Sequence, residues 1–246
     1  MTKLVRGSVA EFIGTFALVF FGAGSIILTQ EALGGAGSLV TVALAHGLVL
    51  TVFVSACMYV SGAQFNPAVS VGVVIAGKQD VKTAAAYIAS QLVAAACAAG
   101  LLLFLVGEDL ARNESVKLGA TLGRFSSGEH ANPVGVVGLE IIQTFALMFC
   151  ILAAVVDERA HKLGGFCVGL TVATGILAFG PLTGSSMNPA RSFGPALYGY
   201  WDMHWAYWVA PMIGACLAAG VYRYVWIERA TGKVPPLHEG DSIERG

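Results

Sequence analysis

The polar groups best suited to chemistry in this apolar chain belong to a tripeptide, Asn-Pro-Ala, that occurs once in each half. Arg191 directly follows the second copy. Amide side chains donate and accept hydrogen bonds without titrating, and a guanidinium stays protonated, so these groups suit recognition of a neutral oxygen atom better than covalent catalysis. The residues of the two copies are Asn66, Pro67, Ala68, Asn188, Pro189 and Ala190.

The rest of the sequence lacks the spacings typical of a metal site or an enzyme. No Ser-His or paired-Asp arrangement stands out, and the net charge is only −1. We therefore predict no enzyme activity, no cofactor, no metal and no nucleic-acid partner. The cysteines lie in apolar stretches without redox or ligand spacing, which favours a packing role. They are Cys57, Cys97, Cys150, Cys167 and Cys216.

Long uncharged stretches indicate that the chain crosses a membrane. Hydrophobic residues make up 56% of the 246 residues and charged residues only 12%, whereas soluble domains have roughly 25% charged residues. Lipid admits only helices or closed barrels, and these stretches lack the alternation of barrel strands. We predict an all-α membrane protein. Its six spanning helices are expected near residues 8–29, 39–61, 83–106, 134–156, 164–181 and 204–227.

Each tripeptide lies in an uncharged stretch that is too long for one span and too short for two spans with a loop, at residues 32–77 and, less severely, at 163–190. Asparagine is a favoured N-cap and proline is favoured at the first helical position, so each copy predicts a helix start. The chain that follows allows a helix of about 15 Å, half of the hydrocarbon core. Two such half-helices, entering from opposite sides, would meet at their amino ends, where Ala68 and Ala190 keep the junction small.

An internal duplication relates the two halves of the chain. The segment AEFIGTFALVF at residues 10–20 returns as LEIIQTFALMF at residues 139–149, with seven of eleven positions identical. Each half holds three full spans, so the second copy enters the membrane from the opposite side, which predicts a site at the midplane. Glu11 and Glu140 are equivalent in these segments, and we expect them to brace the half-helix loops by accepting backbone N–H groups.

The predicted boundaries describe a single domain at residues 1–246. It consists of a first repeat at residues 1–107, a connecting loop at 108–133, a second repeat at 134–230 and a cytoplasmic tail at 231–246. The loop is rich in glycine, serine, asparagine and charged residues.

Lysine and arginine residues predict the orientation, because basic residues collect on the cytoplasmic side. With the amino terminus inside, ten basic residues lie on cytoplasmic segments and three on outer segments. We therefore expect both termini in the cytoplasm and the chain in the cell membrane. The ten are Lys3, Arg6, Lys78, Lys82, Arg159, Lys162, Arg223, Arg229, Lys233 and Arg245, and the three are Arg112, Lys117 and Arg124.

Two helix amino ends that meet at one depth would repel cations, because each carries about half a positive charge. At an effective dielectric of about 20, each half charge at 4 Å opposes a cation by on the order of 2 kcal/mol, before dehydration. A water molecule that accepts hydrogen bonds from both Asn66 and Asn188 would turn its hydrogens outward, which interrupts a proton-hopping chain. Neutral solutes are expected to pass, and ions and protons are not.

The paired Asn-Pro-Ala boxes, the duplicated Glu-x-x-x-Thr-Phe segments and Arg191 after the second box resemble the aquaporin and glycerol-facilitator family, the major intrinsic proteins. The resemblance spans essentially the whole chain. It implies a passive channel for water and small neutral solutes, with two re-entrant half-helices added to the six spans in an inverted repeat. It also implies a homotetramer with one pore per subunit, surrounded by membrane lipid.

The resemblance further implies a constriction outside the midplane, lined at fixed distances from the boxes by His46, Ile176, Ser185 and Arg191. Strict water channels usually have an aromatic residue at the first position and histidine at the second, so Ile176 predicts a wider, partly apolar gap. The pair of His46 and Ile176 is similar to the pair at these positions in vacuolar-membrane aquaporins. Archaeal-type aquaporins resemble this chain at the position of Ile176. Ser192 stands where glycerol facilitators usually carry aspartate. We expect water as the main solute, with slower passage of glycerol, urea or ammonia.

An ion-coupled carrier of a small solute is the alternative, since such carriers also combine inverted repeats with broken helices. A carrier needs titratable or coordinating groups at the midplane, and Glu11 and Glu140 are the candidates in the sequence. Without the family spacing, His46 is better interpreted as a core histidine than as a pore residue.

Overall fold

The computed structural model describes residues 1–32, 38–157 and 163–227. The tail predicted at residues 231–246 lies outside the described residues, as do five of the basic residues that indicate the orientation. Those five are Arg159, Lys162, Arg229, Lys233 and Arg245. The helices are α1 (Lys3–Ala32), α2 (Ser38–Ser61), α3 (Pro67–Ile75), α4 (Val81–Val106), α5 (Glu108–Ala111), α6 (Pro133–Ile151), α7 (Gly164–Thr183), α8 (Pro189–Ala196) and α9 (Ala206–Val221).

Six of these helices, α1, α2, α4, α6, α7 and α9, are long and apolar enough to cross a membrane. π-Helical turns extend α6 over Leu152–Val156 and α9 over Tyr222–Ile227. Large apolar side chains on the outer faces, such as Val52, Phe104 and Ile142, stay exposed, as contact with lipid requires. The chain is therefore an all-α, multi-pass membrane protein, as predicted.

The ends of the spans differ from the predicted ends by a few residues. Helix α1 begins at Lys3 rather than near residue 8, and α9 begins at Ala206 rather than near residue 204. Charged side chains such as Lys3 and Arg6 are tolerated within a helix, so they mark the edge of the apolar region and not the first helical residue.

The two half-helices begin at the predicted residues, and each amino end is capped by its asparagine. Asn66 Oδ1 accepts a hydrogen bond from Ala68 N at 2.9 Å, and Asn188 Oδ1 accepts one from Ala190 N at 3.0 Å. Helix α3 has nine residues and α8 has eight, so both are slightly shorter than the predicted length of about 15 Å. Helix α8 ends in tight turns that follow Pro195.

Each half-helix packs against spanning helices of both halves. Helix α3, from the first half, packs on α4 and on α9 of the second half. Helix α8, from the second half, packs on α4 and α1 of the first half and on α9 of its own half. The depth and direction of each half-helix therefore depend on the complete chain.

The closest approach between the halves is the crossing of α2 and α7. Gly169 follows Gly47 by 122 residues, which is also the offset between Asn66 and Asn188. A Cβ atom at Gly47 would lie 2.9 Å from Gly169 O, and one at Gly169 would lie 2.3 Å from Gly47 O. Neither position has room for a side chain, so glycine permits this contact between equivalent helices.

The connection between the halves is folded onto one end of the helices. It contains α5 and two short 3-10 turns, Lys117–Gly119 and Gly128–His130. Leu118 is fully buried, and Arg124 N and Phe125 N donate hydrogen bonds to carbonyls near the end of α7. The sequence indicated only a linker here, whereas the structure shows a cover over the ends of α1 and α7.

Candidate functional site

Two short segments in left-handed conformation precede the half-helices and share one backbone shape. Few residues other than glycine adopt positive φ, so matching pairs at an offset of 122 residues are strong evidence of a structural repeat. The repeat extends over the whole turn before each box. The pairs are Gly62 (φ 88°) with Gly184 (81°), Ala63 (48°) with Ser185 (45°), and Phe65 (50°) with Met187 (52°).

The buried carboxylate of Glu11 accepts hydrogen bonds from the first segment. Glu11 Oε1 accepts hydrogen bonds from Ser61 Oγ at 2.6 Å and from Gln64 N at 2.9 Å. Glu11 Oε2 accepts from Phe65 N at 2.6 Å and from Gln91 Nε2 at 2.8 Å. The left-handed backbone cannot satisfy these N–H groups by helical bonds, so the carboxylate satisfies them instead.

The buried carboxylate of Glu140 does the same for the second segment. Its Oε1 accepts hydrogen bonds from Thr183 Oγ1 and Ser186 N, both at 2.9 Å, and its Oε2 accepts from Met187 N at 2.7 Å. Both carboxylates are fully buried, and neither lines the cavities described below.

The two boxes are joined by crossed hydrogen bonds between their amides and the opposite segment. Asn66 Nδ2 donates to Met187 O at 2.7 Å, and Asn188 Nδ2 donates to Phe65 O at 2.9 Å. Each amide nitrogen carries two hydrogens, so each has one further donor. Both asparagines line a small inner cavity, which we call the inner passage, and these donors can bind a molecule within it.

A wide cavity and the narrow inner passage share lining residues at the site. The wide cavity, about 450 Å³, lies beside the folded connection and is lined in part by Lys117 and Leu122. The inner passage, about 30 Å³, reaches Asn66 and Asn188. That volume holds about two water molecules, since one needs roughly 10–15 Å³ of such space. His46 and Arg191 are the residues that line both spaces.

A hydrogen bond joins the side chains of His46 and Arg191, the two residues that both cavities share. Arg191 Nε donates to His46 Nε2 at 3.2 Å. Because His46 Nε2 accepts this bond, the ring proton resides on Nδ1, which donates to Val42 O at 2.8 Å. Both ring nitrogens are thus engaged, and the ring is held between its own helix and the guanidinium.

The other two predicted constriction residues lie on either side of this pair. Ile176 lines the wide cavity and Ser185 lines the inner passage. Ser185 Oγ donates to Gly175 O at 3.0 Å, which fixes the hydroxyl against α7. All four side chains are at most 5% exposed.

The inner passage has one apolar wall and one polar wall. The spanning helices supply an apolar wall, on which a solute finds no hydrogen-bond partner. Apart from His46 on α2, the two re-entrant segments supply the polar groups, so a solute is bound mainly from one side. The apolar wall includes Leu18, Leu50, Val54, Leu147, Ile151, Val168 and Val172, and the polar wall includes Gln64, Asn66, Ser185, Ser186, Asn188 and Arg191.

Sequence reasoning did not identify Gln64 as a lining residue. Gln64 Nε2 donates to Gln79 Oε1 at 2.5 Å. Gln79 lines a further cavity of about 550 Å³ together with Lys3 and Lys78, which we call the opposite mouth. The sequence feature that could have identified Gln64 is its polar side chain, which lies two residues before the Asn66 cap in an uncharged stretch.

Ser192 lies behind the second box and lines neither the wide cavity nor the inner passage. Its hydroxyl is 2.6 Å from Thr121 Oγ1 and 2.5 Å from Ser186 Oγ. Since Ser186 Oγ donates to Asn188 O, Ser192 donates to Ser186 and Thr121 donates to Ser192. A chain of hydroxyls therefore ties the folded connection to the Asn188 backbone.

Comparisons with known proteins cover nearly the whole chain. A family model described as Major intrinsic protein matches residues 1–222. Aquaporin TIP4-4 of Zea mays is 43% identical over 245 residues, covering 97% of this chain and 92% of that protein. Aquaporin TIP4-1 of Arabidopsis thaliana is 40% identical, covering 92% and 88%. The X-ray structure of the aquaglyceroporin from Plasmodium falciparum has a TM-score of 0.82 at 27% identity, covering 94% of this chain and 100% of that one.

Proposed function

This chain belongs to the major intrinsic protein family, whose members are passive channels and not enzymes, and we propose that His46 and Arg191 form the selective point of its pore. It is a membrane channel for water and small solutes. Water is the main solute in our proposal, glycerol, urea and ammonia pass more slowly, and ions and protons are excluded. The observation that carries the proposal is that the wide cavity and the inner passage share His46 and Arg191.

The crossed amides support the exclusion of ions and protons. Asn66 and Asn188 each have one N–H group left for a molecule in the passage, and both cap a helix amino end. A water molecule that accepts both bonds donates away from the boxes, which breaks the continuity that proton hopping needs. The two positive helix ends and Arg191 all oppose a cation at this depth.

The preference for water follows from the size and lining of the constriction. His46, Ile176, Ser185 and Arg191 form the selectivity filter in this proposal. Ile176 offers no hydrogen bond. A solute that needs several hydrogen-bond partners, such as glycerol, therefore loses water on that side without a replacement partner, which raises its free energy in the constriction. Ser192 lies outside the lining and acts through the position of the box.

A carrier mechanism is not favoured, because its candidate ion-binding groups are committed elsewhere. Glu11 and Glu140 each accept hydrogen bonds from two backbone N–H groups of a re-entrant segment. In the proposed function they are positioning residues that fix the shape of the pore loops.

The placement of the charged residues supports the proposed orientation. Lys3 and Lys78 line the opposite mouth, whereas Lys117 lines the wide cavity. We place the opposite mouth and both termini in the cytoplasm and the channel in the cell membrane. The assembly is a homotetramer with one pore per subunit, and residues 1–107 and 134–230 are the two repeats joined at 108–133.

Light scattering from vesicles that contain the purified protein tests this function. The protein should speed osmotic shrinkage strongly over empty vesicles, should accelerate glycerol, urea and ammonia entry less, and should leave a pH gradient intact. Vesicles that shrink no faster than empty ones would refute water conduction, and solute uptake that saturates and follows an ion gradient would favour a carrier.

A matched pair of substitutions on α2 tests the location of the passage. Val54 lines the inner passage, whereas Val52 is exposed on the outer face. Val54→Phe adds a ring to a space of about 30 Å³ and should abolish most water flux, whereas Val52→Phe should conduct like the wild type. Equal flux through both variants, each folded by its melting profile, would place the pore elsewhere.

A further inference from the structure

We propose that Gly22 on α1 is a specificity-determining residue of this channel, because the missing side chain makes room for the His46 ring beside the pore. The inference rests on the proposed role of His46 and Arg191 in the constriction. It adds a residue that lines neither the wide cavity nor the inner passage and that sets the width of the constriction through its neighbour.

A Cβ atom at Gly22 would lie closest to the ring nitrogen that accepts the hydrogen bond from Arg191. A Cβ atom at Gly22 would lie 2.5 Å from His46 Nε2, 2.8 Å from Cδ2 and 3.0 Å from Cε1. Carbon and nitrogen atoms do not approach this closely without a bond, so a methyl group here and the present ring position exclude each other. His46 Nε2 is also the acceptor for Arg191 Nε.

The displaced group would be the imidazole and not the backbone. The three nearest atoms to the missing Cβ belong to the side chain of His46, which can rotate about its own bonds. The ring lies between α1 and the pore space, and it lines the wide cavity and the inner passage. A methyl group on the α1 side therefore drives the ring toward the solute path and breaks its bond to Arg191.

Two effects on permeation follow from this displacement. The constriction narrows, because the imidazole occupies space that a solute uses. Arg191 also loses the acceptor for its Nε–H, so the guanidinium is no longer held in one orientation. We expect a several-fold loss of water flux in Gly22→Ala and a larger relative loss for urea, the bulkier solute.

Gly24→Ala provides a matched control on the same helix. A Cβ atom at Gly24 would lie 3.5 Å from Leu102 Cδ1, which is an ordinary van der Waals contact. Both substitutions give the same gain in intrinsic helix propensity, so a difference between them reports the contact with His46. Gly24→Ala should retain the water flux and the water-to-urea ratio of the wild type.

The decisive experiment is a double-mutant cycle of Gly22→Ala with His46→Ala, measured as water and urea permeability in vesicles. Without the imidazole there is no clash, so Gly22→Ala should leave the permeabilities of the His46→Ala channel unchanged. If Gly22→Ala conducts like the wild type, or reduces flux by the same factor in both backgrounds, the inference is wrong.

The remaining outcomes are also distinguishable. If His46→Ala alone changes neither water flux nor the water-to-urea ratio, the constriction itself is misplaced, and the proposed filter fails together with this inference. If Gly22→Ala cannot be recovered as a folded protein, recovery in the His46→Ala background supports the clash, and failure to recover it there overturns the inference.

Discussion

Arg191 is a buried cation whose side-chain partner in the constriction is an uncharged acceptor. Its Nε donates to His46 Nε2, and its backbone N–H donates to Asn188 Oδ1 at 3.3 Å. Neither bond cancels the positive charge, so in the proposed filter the guanidinium adds to the barrier against cations and its width limits neutral solutes. The proposal thereby assigns two kinds of selection to one residue.

Replacing this side chain should separate size selection from water conduction. In Arg191→Val the constriction loses its bulk and its donors, so urea permeability should rise several-fold relative to water permeability. Both are measured by light scattering on the same vesicles. Arg124→Val is a suitable control, because Arg124 is an exposed arginine on the folded connection. An unchanged ratio in Arg191→Val would contradict the assigned role.

The buried carboxylates should be intolerant of even an isosteric change. Glu140→Gln replaces one acceptor oxygen with an N–H donor that faces the N–H of Ser186 or Met187. Hydrogen bonds to charged groups are worth about 1.5–3 kcal/mol each, so the free energy of unfolding should fall by at least that amount. Thermal unfolding in detergent measures the change. Glu114→Gln, on an almost fully exposed side chain, should have little effect, and equal melting profiles would contradict the bracing role.

The N-cap of α4 is Asp80, and its contribution to stability depends on pH. Hydrogen bonds from the Thr83 hydroxyl and the Thr83 backbone N–H lower the pKa of the Asp80 carboxyl below its usual value. A lowered pKa in the folded state means that the ionised cap stabilises the fold above the unfolded pKa, about 3.9. This contribution disappears as pH falls through the folded-state pKa.

Asp80→Ala should therefore lower the unfolding temperature at neutral pH and not at strongly acid pH, where the wild-type cap is protonated. Asp80→Asn keeps an acceptor oxygen for Thr83 N and should lie between the two. The test is the melting temperature of the three proteins over a pH series. A constant difference between wild type and Asp80→Ala at every pH would exclude a role for the ionised carboxylate.

The crossing of α2 and α7 should resist any added side chain. In Gly169→Ala the new Cβ atom would meet Gly47 O, a backbone atom of the facing helix, so the helices must separate. Overpacking of this kind costs about 1–3 kcal/mol, which a melting experiment detects. In Gly138→Ala on α6 the Cβ atom meets nothing within 4 Å, so that variant should gain about 1 kcal/mol from helix propensity. Equal stabilisation of both variants would rule out a close-packed crossing.

Local chemistry made much of this architecture predictable from the sequence. Lipid excludes charge, so uncharged stretches indicate the spans, and the cap preferences of asparagine and proline predict where α3 and α8 begin. Contacts between distant hydroxyls, such as Thr121 with Ser192, produce no periodicity or charge pattern, so the docking of the connection was not predictable. Gly22 has no side chain and leaves no pattern in the sequence, so its contact with His46 could be found only in the structure.

At the scale of the whole molecule, basic residues lie at both ends of the proposed pore. Lys3 and Lys78 border the opposite mouth, and the folded connection, with Lys117, borders the wide cavity. In the proposed topology these two ends face different compartments, and their assignment to cytoplasm and exterior can be tested with single reporter residues.

Reaction with a membrane-impermeant maleimide reads out this orientation in intact cells. Lys78→Cys should react only after the cells are opened, whereas Glu129→Cys, on an exposed turn of the folded connection, should react from outside. The unsubstituted protein corrects for its own cysteines, of which Cys97 is exposed. The reverse labelling pattern would invert the proposed topology.

The crossed bonds from Asn66 to Met187 O and from Asn188 to Phe65 O have a consequence for biogenesis. The ribosome completes the first box 122 residues before the second, so a nascent chain holds one half of each bond without its counterpart. No finished conduit exists until translation of the second half is complete. A product that ends before the second half therefore lacks the part of the inner passage that α6, α7 and α8 supply.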